Sequence, residues 1–293
     1  MTLARFGPLE WPPLSGWRSA WFVAALLVAS GLVVEVLNFN GRDLTRPAQA
    51  YPPLGARVRV AGPKAGEAET MTASGRPGES PFVLARPEAY DAWYETAAGA
   101  AIFATEVQAL GQLIEPFSRP WLEVGAGTGR FAHALGARFA LDPSAAALRL
   151  SQERGLLAVA GAGEAVPFAS GCFGAVLMTF TLCFLVEPAV ALAEARRLMA
   201  SRAGLVVGFL PRGTPWADLY ARLGQKGHPV YRYARFYRVA EVERFVDEAG
   251  FRVLARRSTL QQPPGLEHYE VEPTSDFIAP SAGFAALSAT RRP

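Results

Sequence analysis

The segment Trp121-Leu-Glu-Val-Gly-Ala-Gly-Thr-Gly-Arg130 gathers the residues best suited to ligand chemistry. A short apolar run enters a turn with glycines at 125, 127 and 129 around Ala126, and a helical pattern starts directly behind it. Gly125, Gly127 and Gly129 lack Cβ and accept positive φ, so the backbone can bend sharply and a ligand can approach it closely. The start of the next helix would add free N–H groups and a partial positive charge, suited to a pyrophosphate or to the carboxylate of an amino acid. Two side chains choose between these ligands. A dinucleotide fingerprint, G-x-G-x-x-G, needs a glycine where Arg130 stands. Glu123, two residues before the first glycine, would set a negative charge against a pyrophosphate; against a ligand bearing an ammonium and a sulfonium the same charge is attractive. Asp142 ends the next apolar run, 19 residues past Glu123, where a carboxylate can accept hydrogen bonds from both hydroxyls of a ribose.

A sheet must position such a loop. Short apolar runs at 121–124, 139–141, 156–159, 175–179 and 205–209 read as strands, with helices near 131–138, 144–154 and 189–200 between them. Strand, helix and strand at this spacing imply a parallel sheet with helices on both faces. Upstream, residues 81–117 carry a helical stripe of Tyr90, Trp93, Tyr94, Ala97 and Ala98, continued by Ile102, Val107, Leu110 and Leu113. This N-terminal helical cap is either a packed helix pair or a lid whose aromatics close over the ligand. Residues 211–237 read as a loop-and-helix insertion near the substrate pocket, followed by a helix at 240–249 and closing strands at 252–255 and 284–287.

Hydrophobic residues make up 51% and charged residues 19% of 293, enough apolar surface for a sizeable core. The net charge is +3 and no Lys/Arg block stands out, so the electrostatic footprint of a nucleic-acid binder is missing. Cys172 and Cys183 have no metal-ligand spacing, and a reducing compartment is the expectation. Residues 1–80 differ from the rest: 20–34 is an unbroken apolar or small run, Val36-Leu37 resumes it, and a Pro/Gly/Ala-rich linker follows. At 15 residues the run is shorter than the roughly 20 that cross a bilayer. A membrane anchor through 20–37, a signal peptide, and an extension upstream of a start at Met71 stay open. The expectation is an extension outside the core of a cytoplasmic protein, with any membrane contact confined to 20–37 and the rest of the chain on the cytoplasmic side.

Downstream motifs sharpen the reading. Gly161-Ala-Gly-Glu-Ala-Val-Pro-Phe168, Cys172-Phe-Gly-Ala-Val176, Thr181-Leu-Cys-Phe184, Tyr231-Arg-Tyr-Ala-Arg-Phe-Tyr237 and the helix end from Glu241 to Phe251 resemble recurring segments of the class I methyltransferases of the "methyltransferase domain 11" pattern, in particular a branch of small bacterial enzymes. The resemblance covers about residues 85–290. It implies a Rossmann-like α/β fold with a mainly parallel seven-stranded sheet, and S-adenosyl-L-methionine as cofactor. It also implies that Glu123, Gly125, Ala126, Gly127 and Gly129 line the cofactor's methionine half and that Asp142 holds its ribose. Gly163 and Glu164 would edge the adenine, and Thr179 would lie beneath the sulfonium. Three positions depart from the pattern: Ala162 replaces a frequent acid, Gly174 the usual Asp, and Arg202-Ala203-Gly204 lacks the usual proline. Each is expected to weaken cofactor contact.

Methyl transfer needs orientation more than any one side chain, since the donor carries its own leaving group. A base is required only if the acceptor must lose a proton early. Candidates for the pocket are Tyr90, Tyr94, Cys183, Tyr231 and Arg235, with Tyr231 and Arg235 four apart on one helical face as a clamp and His228 as base. Thr179-Phe-Thr-Leu-Cys-Phe184 is not the Asn/Asp-Pro-Pro-aromatic sequence of enzymes acting on nucleobase amino groups. The expected acceptor is therefore a small molecule, with no metal and no nucleic acid. A non-catalytic cofactor-binding module and a nucleotide-dependent oxidoreductase are the alternatives.

Overall fold

The computed structural model describes residues 86–292; the apolar segment 20–37 and the linker lie outside them. Two helices open the described chain, α1 (Pro87–Trp93) and α2 (Ala97–Ile114). Pro87 starts α1, where its missing N–H is not needed. Thr96 caps α2 by accepting from Gly99 N at 3.0 Å. Then follow β1 (Trp121–Val124), α3 (Arg130–Leu135), β2 (Phe139–Asp142), α4 (Ala145–Glu153), β3 (Leu157–Ala160), β4 (Phe173–Thr179), α5 (Pro188–Leu198) and β5 (Met199–Phe209). The chain ends with α6 (Pro215–Gln225), α7 (Val239–Glu248), β6 (Phe251–Thr259) and β7 (Phe284–Arg291).

The seven strands lie in the order β3-β2-β1-β4-β5-β7-β6. β1 to β5 are parallel, and β7 runs antiparallel between β5 and β6. This is the Rossmann-like class I methyltransferase arrangement, with helices on both faces. Chain order reverses direction between β1 and β4, so the loops leaving their C-terminal ends diverge and open a crevice.

The pleat decides what faces that crevice. Leu122, Val124, Val176 and Met178 pack into the core beneath α5 and α7. Their alternates Trp121, Ala175 and Leu177 pack on the other face, against α2 and α3. Period-two alternation puts Glu123 and Thr179 on that second face too, on neighbouring strands whose register pairs Glu123 with Leu177. The α2 helix is long and apolar enough to cross a bilayer by composition, but it buries Ile102, Ala109, Leu110, Leu113 and Ile114 against the sheet. It is a core helix.

Strand ends differ from the sequence reading where charge or edge exposure breaks the pattern. β5 begins at Met199 rather than 205, because Ser201 and Arg202 are exposed in its first stretch and carry no apolar signal. β6 runs to Thr259 rather than 255 as an edge strand in which the exposed Arg256 carries no apolar signal; charges on an edge also discourage strand addition. Arg202-Ala203-Gly204, the segment that lacks the family's proline, lies inside β5, where Gly204 packs under the Phe117 ring.

Gly174 likewise has a local reason. A Cβ there would overlap the carbonyl oxygen of Ser118, whose neighbour Pro120 accepts from Gly174 N at 2.8 Å. Packing of β4 against the 118–120 turn therefore leaves no room for a side chain at Gly174. Gly174→Ala should cost about 3 kcal/mol through overpacking, a fall in Tm of roughly 6–12 °C by thermal denaturation. Melting together with the wild type would show that the 118–120 turn yields freely.

Candidate active site

Glu123 is buried, 1% exposed, and one carboxylate oxygen accepts from Ala132 N at 2.7 Å. Burial pushes its carboxyl up to about 8, against the pull of that N–H. The Thr179 hydroxyl lies close enough to favour the charged form yet makes no hydrogen bond of normal geometry, so a buried donor is left without a partner. Such groups are rare because they forgo the hydrogen bond they had in water. Asp142 is equally buried, accepting from Gly127 N and Ser144 N at 2.8 Å each; desolvation pushes it up to about 6 despite those bonds.

The glycine turn is held from within, which differs from the expectation that its amides face a ligand. Gly125 N and Ala126 N donate to Leu141 O at 2.8 and 3.0 Å, Gly127 N to Asp142, and Gly129 N to Ala126 O. What the loop offers is shape. Gly127 has φ +53 and a Cβ there would meet nothing within 4 Å, so its Cα borders open space. Gly129, at φ +79, instead has the Ser151 side chain against it, and its lack of Cβ serves helix packing.

A cavity of about 790 Å³ opens beside this loop. Glu123, Gly125, Ala126, Gly127 and Thr179 border it, whereas Gly129, Asp142, Gly163 and Glu164 do not. Gly163 packs against Val124 and Leu185, and the Glu164 carboxylate accepts from Val186 N at 3.2 Å. Phe180 and Leu260, the non-glycine residues with positive φ among those described, both line the cavity. Strained backbone of this kind concentrates where a binding surface dictates side-chain direction.

Pro87, Tyr90, Trp93 and Tyr94 of the helical cap border this cavity. Asp91 on α1 accepts from Arg130 Nε and Thr128 Oγ1 at 2.7 Å and from Arg154 at 2.5 Å, and Arg154 also bonds Thr128 O at 2.9 Å. Although burial opposes it, these donors hold the Asp91 carboxyl below its usual range. The latch brings Tyr94, 5% exposed, edge-on against Phe103 and Phe131. Tyr90 keeps its ring edge outside and meets Tyr94 Oη at 3.0 Å.

Of the insertion candidates, Tyr231 and His228 reach the cavity and Arg235 does not. Helical turn 231–233 is a single 3₁₀ turn and Ala234 is extended, so Tyr231 and Arg235 share no helical face. Arg235 is exposed and runs beside Tyr237. His228 stacks on Tyr231 at 4.6 Å, and its Nδ1 accepts from Val230 N at 3.3 Å. Its Nδ1 thus serves as an acceptor for the backbone of its own turn. Burial pushes the Cys183 thiol up to about 12, which disfavours the thiolate, and it donates to Phe180 O at 3.1 Å.

One residue of the site escaped the sequence reading. Glu106 on α2 lines the cavity at 4% exposure. The stripe reads Ile102, Glu106, Ala109, Leu113 in the fold, whereas the apolar pattern selects Val107, which is only half-buried. A carboxylate at the apolar spacing of a core helix was the available signal.

A family model described as "Methyltransferase domain" matches residues 122–207. An uncharacterized protein of Mycobacterium tuberculosis is 59% identical over 201 residues, 69% of this chain and 70% of that one. Another, from Methanocaldococcus jannaschii, is 28% identical over 205 residues, 70% of this chain and 96% of that one. A crystal structure from Thermotoga maritima, titled a SAM-dependent methyltransferase and possible histamine N-methyltransferase, superposes with a TM-score of 0.61 at 27% identity, over 70% of this chain and 95% of that one. The chain belongs to the class I S-adenosylmethionine-dependent methyltransferases.

The latch has a measurable consequence. Asp91→Ala leaves the Arg130 and Arg154 guanidinium groups without their shared carboxylate, at a cost of about 2 kcal/mol. Hydrogen exchange should then quicken across 87–93 while the sheet amides stay protected. Unchanged exchange in α1 would mean that aromatic packing alone holds the cap.

Proposed function

We propose that this chain transfers the methyl group of S-adenosyl-L-methionine to a small-molecule acceptor bound under the α1 cap, in the cytoplasm. The observation that carries the reading is a single cavity bordered both by the glycine turn with Glu123 and by the aromatic cap and insertion. Cofactor and acceptor can share such a space, and no second opening is required.

The residues fit the cofactor on three counts. Gly127 offers backbone to open space, Thr179 keeps a buried hydroxyl without a partner among the described residues, and Glu123 is a buried carboxylate to which no described residue offers a cation. When bound, the cofactor supplies an activated methyl group on a sulfonium. Glu123 and Thr179 would hold its ammonium end, and Gly125, Ala126 and Gly127 would shape the wall beside them. Asp142 acts chiefly as a brace, since both of its oxygens already accept loop or helix N–H groups; a second lone pair on each leaves it able to take a ribose hydroxyl. Gly163 and Glu164 would contribute to the adenine edge through the backbone they position. Phe131, Tyr94 and Tyr231 would exclude water and align the acceptor, which is where orientation gains most.

Proton linkage tests the assignment. A carboxyl raised from 4.5 to about 8 keeps a proton in the native protein that the unfolded chain has lost, so this group makes stability fall as pH rises across that window. A cation beside Glu123 favours the charged form and expels the proton. Calorimetry near pH 7 in buffers of differing ionisation enthalpy should show S-adenosylmethionine binding with net proton release, tightening as pH rises toward 8. Glu123→Gln should abolish the release and weaken binding about tenfold or more, and Gly127→Arg should fill the open space and block binding. Tight NAD binding with no response to S-adenosylmethionine would overturn the proposal.

A further inference from the structure

Glu106 has no hydrogen-bond or ion-pair partner among the described residues, although it is 4% exposed and borders the cavity. Tyr90, Tyr94 and Tyr220 lie within its electrostatic reach. Tyr231 extends this wall, with its ring centroid 4.4 Å from that of Tyr220. The other charged residues bordering the cavity are Glu123, the exposed Arg86, and Arg130, which is consumed by Asp91 and Glu95. No cation among the described residues answers Glu106.

A lone carboxyl inside a core is costly unless something binds it. The faces of aromatic rings carry negative potential and attract cations, most strongly where water is excluded. A carboxylate on a cavity wall that it shares with four tyrosines is thus complementary to an ammonium group and repels an anion. We propose that Glu106, which shares the cavity wall with Tyr90, Tyr94, Tyr220 and Tyr231, is the recognition site for the ammonium group of an amine acceptor. The identity of the acceptor as the methylated molecule rests on the methyl-transfer reading; the binding site rests on these residues alone.

Burial holds the Glu106 carboxyl well above the ordinary range, as expected where the compensating cation is missing. Its place on the cavity wall gives the carboxylate a second use in methyl transfer. An ammonium has no lone pair, so the amine must lose a proton before its nitrogen can attack carbon. That proton passes to the Glu106 carboxylate, the N–H electron pair stays on nitrogen, and a neutral amine faces a neutral acid. Charge and atoms balance without a further reactant.

The test uses the full chain with phenethylamine, cyclohexylmethylamine and butylamine as probes. Each is compared with the matching alcohol and carboxylate by calorimetry, with and without S-adenosylhomocysteine. At least one amine should bind about tenfold or more tightly than its alcohol, and the carboxylates should not bind. Glu106→Gln, a near-isosteric change checked by its melting temperature and S-adenosylhomocysteine binding, should erase the amine preference while leaving the alcohols within about twofold. Tyr220→Leu should weaken the same amine. Equal binding of amines and alcohols across the panel, or an undiminished preference in Glu106→Gln, overturns the inference. Should S-adenosylhomocysteine bind without any amine preference, the amine site fails and methyl transfer stands; amine preference without S-adenosylhomocysteine binding means the reverse.

Discussion

A carboxylate at the inner end of a central parallel strand is the constraint from which the site follows. Glu123 faces apolar core beneath it and a cavity beside it, with the Ala132 amide donating to it and Thr179 close by. Water would solvate the charge far better than this setting does. The surroundings therefore favour either a proton or a cationic ligand, and the fold supplies the place for the ligand. Because β1 and β4 are adjacent and their exit loops diverge, the carboxylate sits where a crevice must form.

The rest of the molecule shapes that crevice. Asp142 and Leu141 hold the glycine turn through its own amides, so the turn is rigid before any ligand arrives. The latch at Asp91 ties α1 to Thr128 and Arg130, which belong to the same turn and the helix after it. Loop closure and cap closure are thereby joined through neighbouring residues. On the other side, Glu272 accepts from Gln261 N and Gln262 N, and Trp216 Nε1 donates to Gln262 O at 2.8 Å, which fixes the segment after β6 against α6. A preorganised wall of this kind reduces the entropy lost when a small molecule is oriented.

The fold was legible because buried parallel strands leave continuous apolar runs, and a glycine turn between strand and helix marks the sheet's functional edge. Glu123 and Asp142 stood out as acids at strand ends, and both are buried at the expected place. Their division of labour was not readable: which oxygens the loop amides consume depends on φ values at Gly125 and Gly127, and those appear only in three dimensions. Arg235 misled for a related reason, since a four-residue spacing implies a shared face only if the chain is helical there. Glu106 was hidden by the apolar stripe itself, where an adjacent valine completes the pattern equally well. β5 and β6 extend past their apolar runs through the exposed Arg202 and Arg256, which satisfy solvent rather than the period of two.

In the proposed reading, a cationic amino-acid nucleoside shares one cavity with a second, carboxyl-bearing compartment. A crystal structure with S-adenosylhomocysteine tests this most directly. Its amino group should lie within hydrogen-bonding distance of Glu123 and Thr179, its chain should pass Gly127, and open volume should remain beside Glu106. Density for the ligand outside this cavity, or with its adenine against Glu106, would contradict it.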